Sequence, residues 1–160
     1  AGKLRNTITV AMRGAKLQDI ISDIQTRGKE LLKIYTTSAT QVIILAGTNN
    51  FEENNPEHMI QLYTKLARSI HANNSSAKLR FVPSFHAPAT TIDTETLQYI
   101  NSNLKSLAEL TNQNFYDLHP KFMKNGHPNT ELFSKADQLH PSAKGNKILR
   151  EQLAQLIARL

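Results

Sequence analysis

The chain has 160 residues, 39% hydrophobic and 20% charged, an ordinary globular composition with enough length for one domain and its core. It contains no cysteine, which excludes disulfides, thiolate metal sites and a cysteine nucleophile and leaves the compartment open. No apolar run reaches the length of a membrane span and no apolar leader opens the chain. The net charge of +6 is scattered rather than gathered in a run, so a solvated basic surface is the simpler account beside an anionic partner such as lipid or nucleic acid.

In chain order, Thr7–Met12 is rich in β-branched and apolar residues and predicts a first strand. Leu17, Ile20, Ile21, Ile24, Leu31 and Leu32 then recur at helical spacing. Gln41–Ala46 is almost continuously apolar, as a strand buried on both faces of a parallel sheet would be. Pro56 suits the first turn of a helix carrying Met59, Tyr63, Leu66, Ala67 and Ile70. Lys78–Pro83 predicts a third strand, and Asp93 is a candidate N-cap for a helix with Leu97, Ile100, Leu104, Leu107 and Ala108. Asn114–Leu118 predicts a fourth strand. The long stretch from His119 to His140 has no clear period, and a helix with Leu149, Leu153, Leu156, Ile157 and Leu160, capped by Ser142, closes the chain.

Alternating strands and helices imply right-handed crossovers and a parallel sheet, with ligands beyond the carboxyl ends of the strands. Two groups there carry chemistry. Gly47-Thr48-Asn49-Asn50 follows the most buried strand, where a glycine permits an unusual turn and an asparagine can aim its amide at a ligand oxygen. An ordinary turn is the competing account. Asp137-x-x-His140 places a carboxylate where it can fix an imidazole tautomer and make a base able to activate a hydroxyl. The competing account is a surface histidine beside a turn-capping aspartate.

Taken together, these residues carry a family resemblance. Ala46-Gly47-Thr48-Asn49-Asn50 resembles the Gly-x-Asn-Asp block of SGNH (GDSL-like) hydrolases, and Asp137-Gln138-Leu139-His140-Pro141 resembles their Asp-x-x-His-Pro block. Met12-Arg13-Gly14-Ala15 resembles the block whose glycine supplies a backbone N–H. Asn50 stands where the family usually has aspartate. The resemblance implies a three-layer α/β/α, flavodoxin-like fold in one domain over residues 1–160 and cofactor-free ester hydrolysis. It makes His140 the general base, Asp137 its orienter, and the Gly14 N–H and Asn49 amide parts of an oxyanion hole. Acetylated sugars, lysophospholipids and small esters are the implied substrates. Ser84 and His86, after the third strand, are expected near the substrate.

The family's Gly-Asp-Ser block is absent. Six residues precede Thr7, too few for a strand and a crossover of about a dozen residues. The expectation is that the first, central strand and the nucleophilic serine belong to an upstream segment. Ser84 is a poor substitute nucleophile, and Ser22 and Ser134 read as ordinary polar positions. No metal site is expected, because the spacings of His119, His127 and His140 match no helical ligand pair. Phe122, Met123, Leu132 and Phe133 either wall an acyl site or pin the long loop to the core. A reading of another class is a catalytically silent domain, similar to those of retroelement-encoded proteins, that binds lipid or nucleic acid.

Overall fold

The computed structural model describes residues 12–33 and 41–158, with the side chains of residues 28, 29 and 31–33 left aside. Five of the six residues of the first expected strand, Thr7–Met12, therefore lie outside the described residues, and Met12 itself is not in a strand. Helix α1 (Leu17–Lys33) leads to β1 (Gln41–Ala46), a 3-10 helix (Thr48–Glu53), α2 (Pro56–Asn73) and β2 (Lys78–Pro83). Then come α3 (Thr94–Leu110), β3 (Asn114–Phe115) and a loop region that ends at α4 (Ala143–Ala158).

The three strands form a parallel sheet in the order β1-β2-β3, with Gln41 opposite Lys78 and Ala46 opposite Pro83. Side chains alternate across it as the pleat requires. Val42, Ile44, Leu79 and Phe81 face a core shared with α1, α2 and α3, where Leu17, Met59, Tyr63, Leu66, Leu97 and Leu104 are buried. Ile43 and Val82 face the opposite way, onto Leu153 and Leu156 of α4. The sheet is thus covered on both faces, which is the expected α/β/α layering. The second and third expected strands coincide with β1 and β2. The fourth is shorter than expected. Tyr116 still donates its N–H to Phe81 O at 2.8 Å, but Asp117 then accepts the His119 N–H and turns the chain out of the ladder.

Helix ends follow the sequence signals. Asn55 accepts the His58 N–H with Pro56 in the first turn, Asp93 accepts the Thr96 N–H at 2.7 Å, and Ser142 Oγ accepts the Gly145 N–H at 3.3 Å. The His119–His140 stretch is more regular than its lack of period suggests. It holds a short 3-10 helix (His119–Phe122), a hairpin of β4 (Met123–Lys124) and β5 (His127–Pro128), and a second 3-10 turn (Thr130–Leu132). Asn125 and Gly126, both at positive φ, make the hairpin turn, and that Asn-Gly pair is the signal that announces it.

Among the described residues β1 pairs on one side only, although its sequence is that of an interior strand, and Leu45 stays 39% exposed. At the other end of the molecule α4 approaches the Thr130–Leu132 turn so closely that a Cβ on Gly145 would run into the Leu132 carbonyl. Gly145→Ala should therefore cost about 1–3 kcal/mol through overpacking, read as a lower urea midpoint at unchanged slope.

Candidate active site

Asp137 and His140 form the central pair. His140 Nδ1 lies 2.7 Å from Asp137 Oδ2, and Asp137 Oδ1 accepts the N–H groups of Leu139 (2.9 Å) and His140 (3.0 Å). Two residues thus close on one carboxylate through three nitrogens, a geometry that the positive φ of Gln138 makes possible. The backbone donors of Leu139 and His140, then the imidazole, hold the Asp137 carboxyl down at about 2. It is ionised at neutral pH and is placed to accept a proton carried on His140 Nδ1. The pair is open to solvent, the His140 side chain being 72% exposed and that of Asp137 43%.

The loop that presents this pair is anchored from several sides. Ser134 donates its N–H to His140 O (2.7 Å), Gln138 donates to Ser134 O (2.8 Å), and Phe133 bridges to Pro141. Beneath it Phe122, Leu132 and Phe133 are buried, and Phe85 stacks on Phe122 with centroids 3.8 Å apart. The burial of Phe122, Leu132 and Phe133 fits the anchoring account of these apolar side chains, while Met123 is only half-buried.

The second group lies in the turn after β1. Gly47 sits at φ 112°, and the Tyr63 hydroxyl occupies the place a side chain would need, so only glycine fits. The Asn49 amide donates to Ala15 O at 3.0 Å, one residue beyond Gly14, whose φ is 68°. One N–H of Asn49 is thereby engaged. Asn50 is fully buried. Its Oδ1 accepts the Leu17 N–H at 2.9 Å and its Nδ2 donates to Gln18 Oε1 at 2.8 Å. The two asparagines tie the Gly14 loop to the turn. Asparagine suits the second position because Glu53 Oε1 lies 3.4 Å from its Nδ2, and a carboxylate there would face another carboxylate.

The exit of β2 touches both groups. Ser84, 4% exposed, accepts from the Thr48 hydroxyl (2.9 Å) and donates to Ala46 O (2.8 Å), so its hydroxyl is already paired on both sides. The Ala89 N–H donates to Gln138 O at 3.1 Å, within the Asp137–His140 turn. His86 lies between them and donates its N–H to His119 Nδ1 at 3.3 Å, with the two rings near parallel. That partnership was not legible in the sequence. A depression of about 350 Å³ opens between the N-termini of α2 and α3, lined by Glu57, Asp93 and Tyr99, and does not include the Asp137–His140 pair.

The family can now be stated. The model of the GDSL-like lipase/acylhydrolase family matches residues 3–148. The chain belongs to that family. No curated protein matches it by sequence. Among solved structures, a Streptococcus pneumonia protein aligns with a TM-score of 0.78 at 14% identity, covering 94% of this chain and 72% of the other. A GDSL-like lipase from Bacteroides thetaiotaomicron aligns at 0.69 and 20% identity, covering 91% and 72%. A variant of an acetylxylan esterase from Geobacillus stearothermophilus aligns at 0.64 and 18%, covering 90% and 68%. At such identities the likeness is one of fold.

Two titrations follow from this geometry. The Asp137 carboxyl carbon should titrate by NMR with a midpoint near 2, against about 3.9 for a free aspartate. Burial lowers the His119 ring below its ordinary value, against Asp117, and lowers His86 against Asp93. A folded value below the unfolded one gives stability that is complete above about pH 6.5 and is lost as pH falls through the lowered values. His119→Asn, which keeps an acceptor and cannot titrate, should flatten the thermal-midpoint profile below about pH 6.5.

Proposed function

We propose that this family member is a serine esterase in which His140 is the general base and Asp137 its orienting partner. The 2.7 Å contact between Nδ1 and Oδ2 carries the reading. A surface histidine with no task needs no carboxylate that accepts three N–H groups and stays ionised to about pH 2. With Nδ1–H engaged, Nε2 takes the proton of an attacking serine hydroxyl and later delivers it to the departing alkoxide.

The serine lies outside the 160 residues, on a strand that pairs with the side of β1 left without a partner among the described residues. The apolar sequence of β1, its single partner among the described residues and the exposure of Leu45 support this. A strand and turn added there would also reduce the exposure of the catalytic pair and so strengthen its electrostatics. The tetrahedral oxyanion is held by the Gly14 N–H, the second N–H of the Asn49 amide and the serine's own N–H, each donor contributing on the order of 3 kcal/mol. Domain 1–160 is then the larger part of a single catalytic unit. Its substrates are esters such as acetylated sugars, a class that the acetylxylan esterase among the structural neighbours acts on by its name. Ser84, paired on both sides, supports the turn rather than the substrate, and His86 lines the rim.

The longest natural form of the protein should hydrolyse para-nitrophenyl acetate, and His140→Ala should lower kcat by about ten-thousand-fold. Equal rates for the two proteins would remove His140 from the mechanism, and absence of hydrolysis in both would favour a silent binding domain.

A further inference from the structure

An amide stabilises an oxyanion only if it is already aimed, because a donor that must reorganise during the reaction loses most of its effect. Asn49 stands in a short turn, so something must hold that turn against the pull of solvent. Two hydroxyls converge on the Ala46 carbonyl, the last of β1, and two further groups brace the turn beside it. Tyr63, which rises from α2 and is 1% exposed, donates its hydroxyl to that oxygen. Ser84 donates to the same oxygen from β2 at 2.8 Å. The Thr48 hydroxyl, inside the turn, donates to Ser84 at 2.9 Å. The Asn50 N–H closes the turn onto Gly47 O at 3.0 Å.

We infer that Tyr63 and Ser84 are positioning residues for the Asn49 amide, acting through the Ala46 carbonyl without touching substrate. The inference rests on the esterase reading and adds two side chains that no motif contains. The Ala46–Gly47 peptide is fixed from below by the tyrosine and from the side by the serine. Its rotation would swing Gly47 out of its left-handed conformation and carry Asn49 away from Ala15 O. Burial raises the Tyr63 phenol well above its ordinary value, so the hydroxyl remains a donor across the working pH range. Neither hydroxyl is explained by burial alone, since phenylalanine and alanine would fill the same apolar volumes.

The test uses the longest natural form of the protein with Tyr63→Phe and Ser84→Ala, each checked for its thermal midpoint. Each should lower kcat about tenfold with KM within about twofold, and neither should lower kcat further when Asn49 is already Ala. A merely structural role would lower kcat equally in both backgrounds, and that result would overturn the inference. The side-chain NH2 signals of Asn49, assigned by their loss in Asn49→Ala, supply a readout that needs no activity. They should move in both variants. If they stay in place the inference is wrong, whatever the kinetics. If no form hydrolyses ester but the signals move, the positioning stands and the esterase reading falls. Should Tyr63→Phe fail to fold, Ser84→Ala carries both measurements.

Discussion

The six residues that leave β2, Ser84 to Ala89, satisfy two loops at once. At one end the Ser84 hydroxyl bridges Thr48 and Ala46 in the turn after β1. At the other the Ala89 N–H reaches Gln138 between Asp137 and His140. Between these ends Phe85 stacks on Phe122 and the His86 N–H reaches His119. The spacing of the two candidate groups therefore depends on the length and course of one short strand exit. A shift of β2 by one residue against β1 would turn Leu79 and Phe81 away from the α2–α3 core and carry Ser84 off the Ala46 carbonyl in the same movement.

The two groups are built in different ways. The Asp137–His140 pair is made locally, since its hydrogen bonds close within four residues and need only the turn at Gln138. The Asn49 group is made of distant parts. Ala15, Asn49, Tyr63 and Ser84 come from four separate segments and meet where the approach to α1, the turn after β1, α2 and the exit of β2 come together. A locally closed pair tolerates exposure to solvent, as this one does. The buried group cannot, because each of its polar atoms must find a partner within the protein. Asn50 illustrates the rule, with no exposed surface and both ends of its carboxamide bonded.

Among the described residues β1 has a partner on one side only, which fits this arrangement. An interior-type sequence on an edge leaves unpaired backbone groups and apolar side chains such as Leu45 facing solvent, which sheets ordinarily avoid. The face toward α4 has no such gap. Val82, Leu118 and Leu156 are buried together, and Arg80 donates to the Leu156 carbonyl at 2.7 Å near the helix end, where a cation is favoured.

Much of this was legible in the sequence where the physics is local. The apolar runs of β1 and β2, Pro56 in the first turn of α2, the caps at Asp93 and Ser142, and the Asp-x-x-His spacing each act over a few residues, so each leaves a pattern along the chain. The Asn125-Gly126 turn left one too, although a search for longer periods passes over it. Other features leave none. Ser84 reads as a rim residue in sequence and is a buried bridge in the fold, and nothing near Tyr63 distinguishes it from any helical aromatic facing a core. The partners of these residues lie 17 to 38 positions away, and only the register of the sheet and the packing of α2 decide which oxygen they meet.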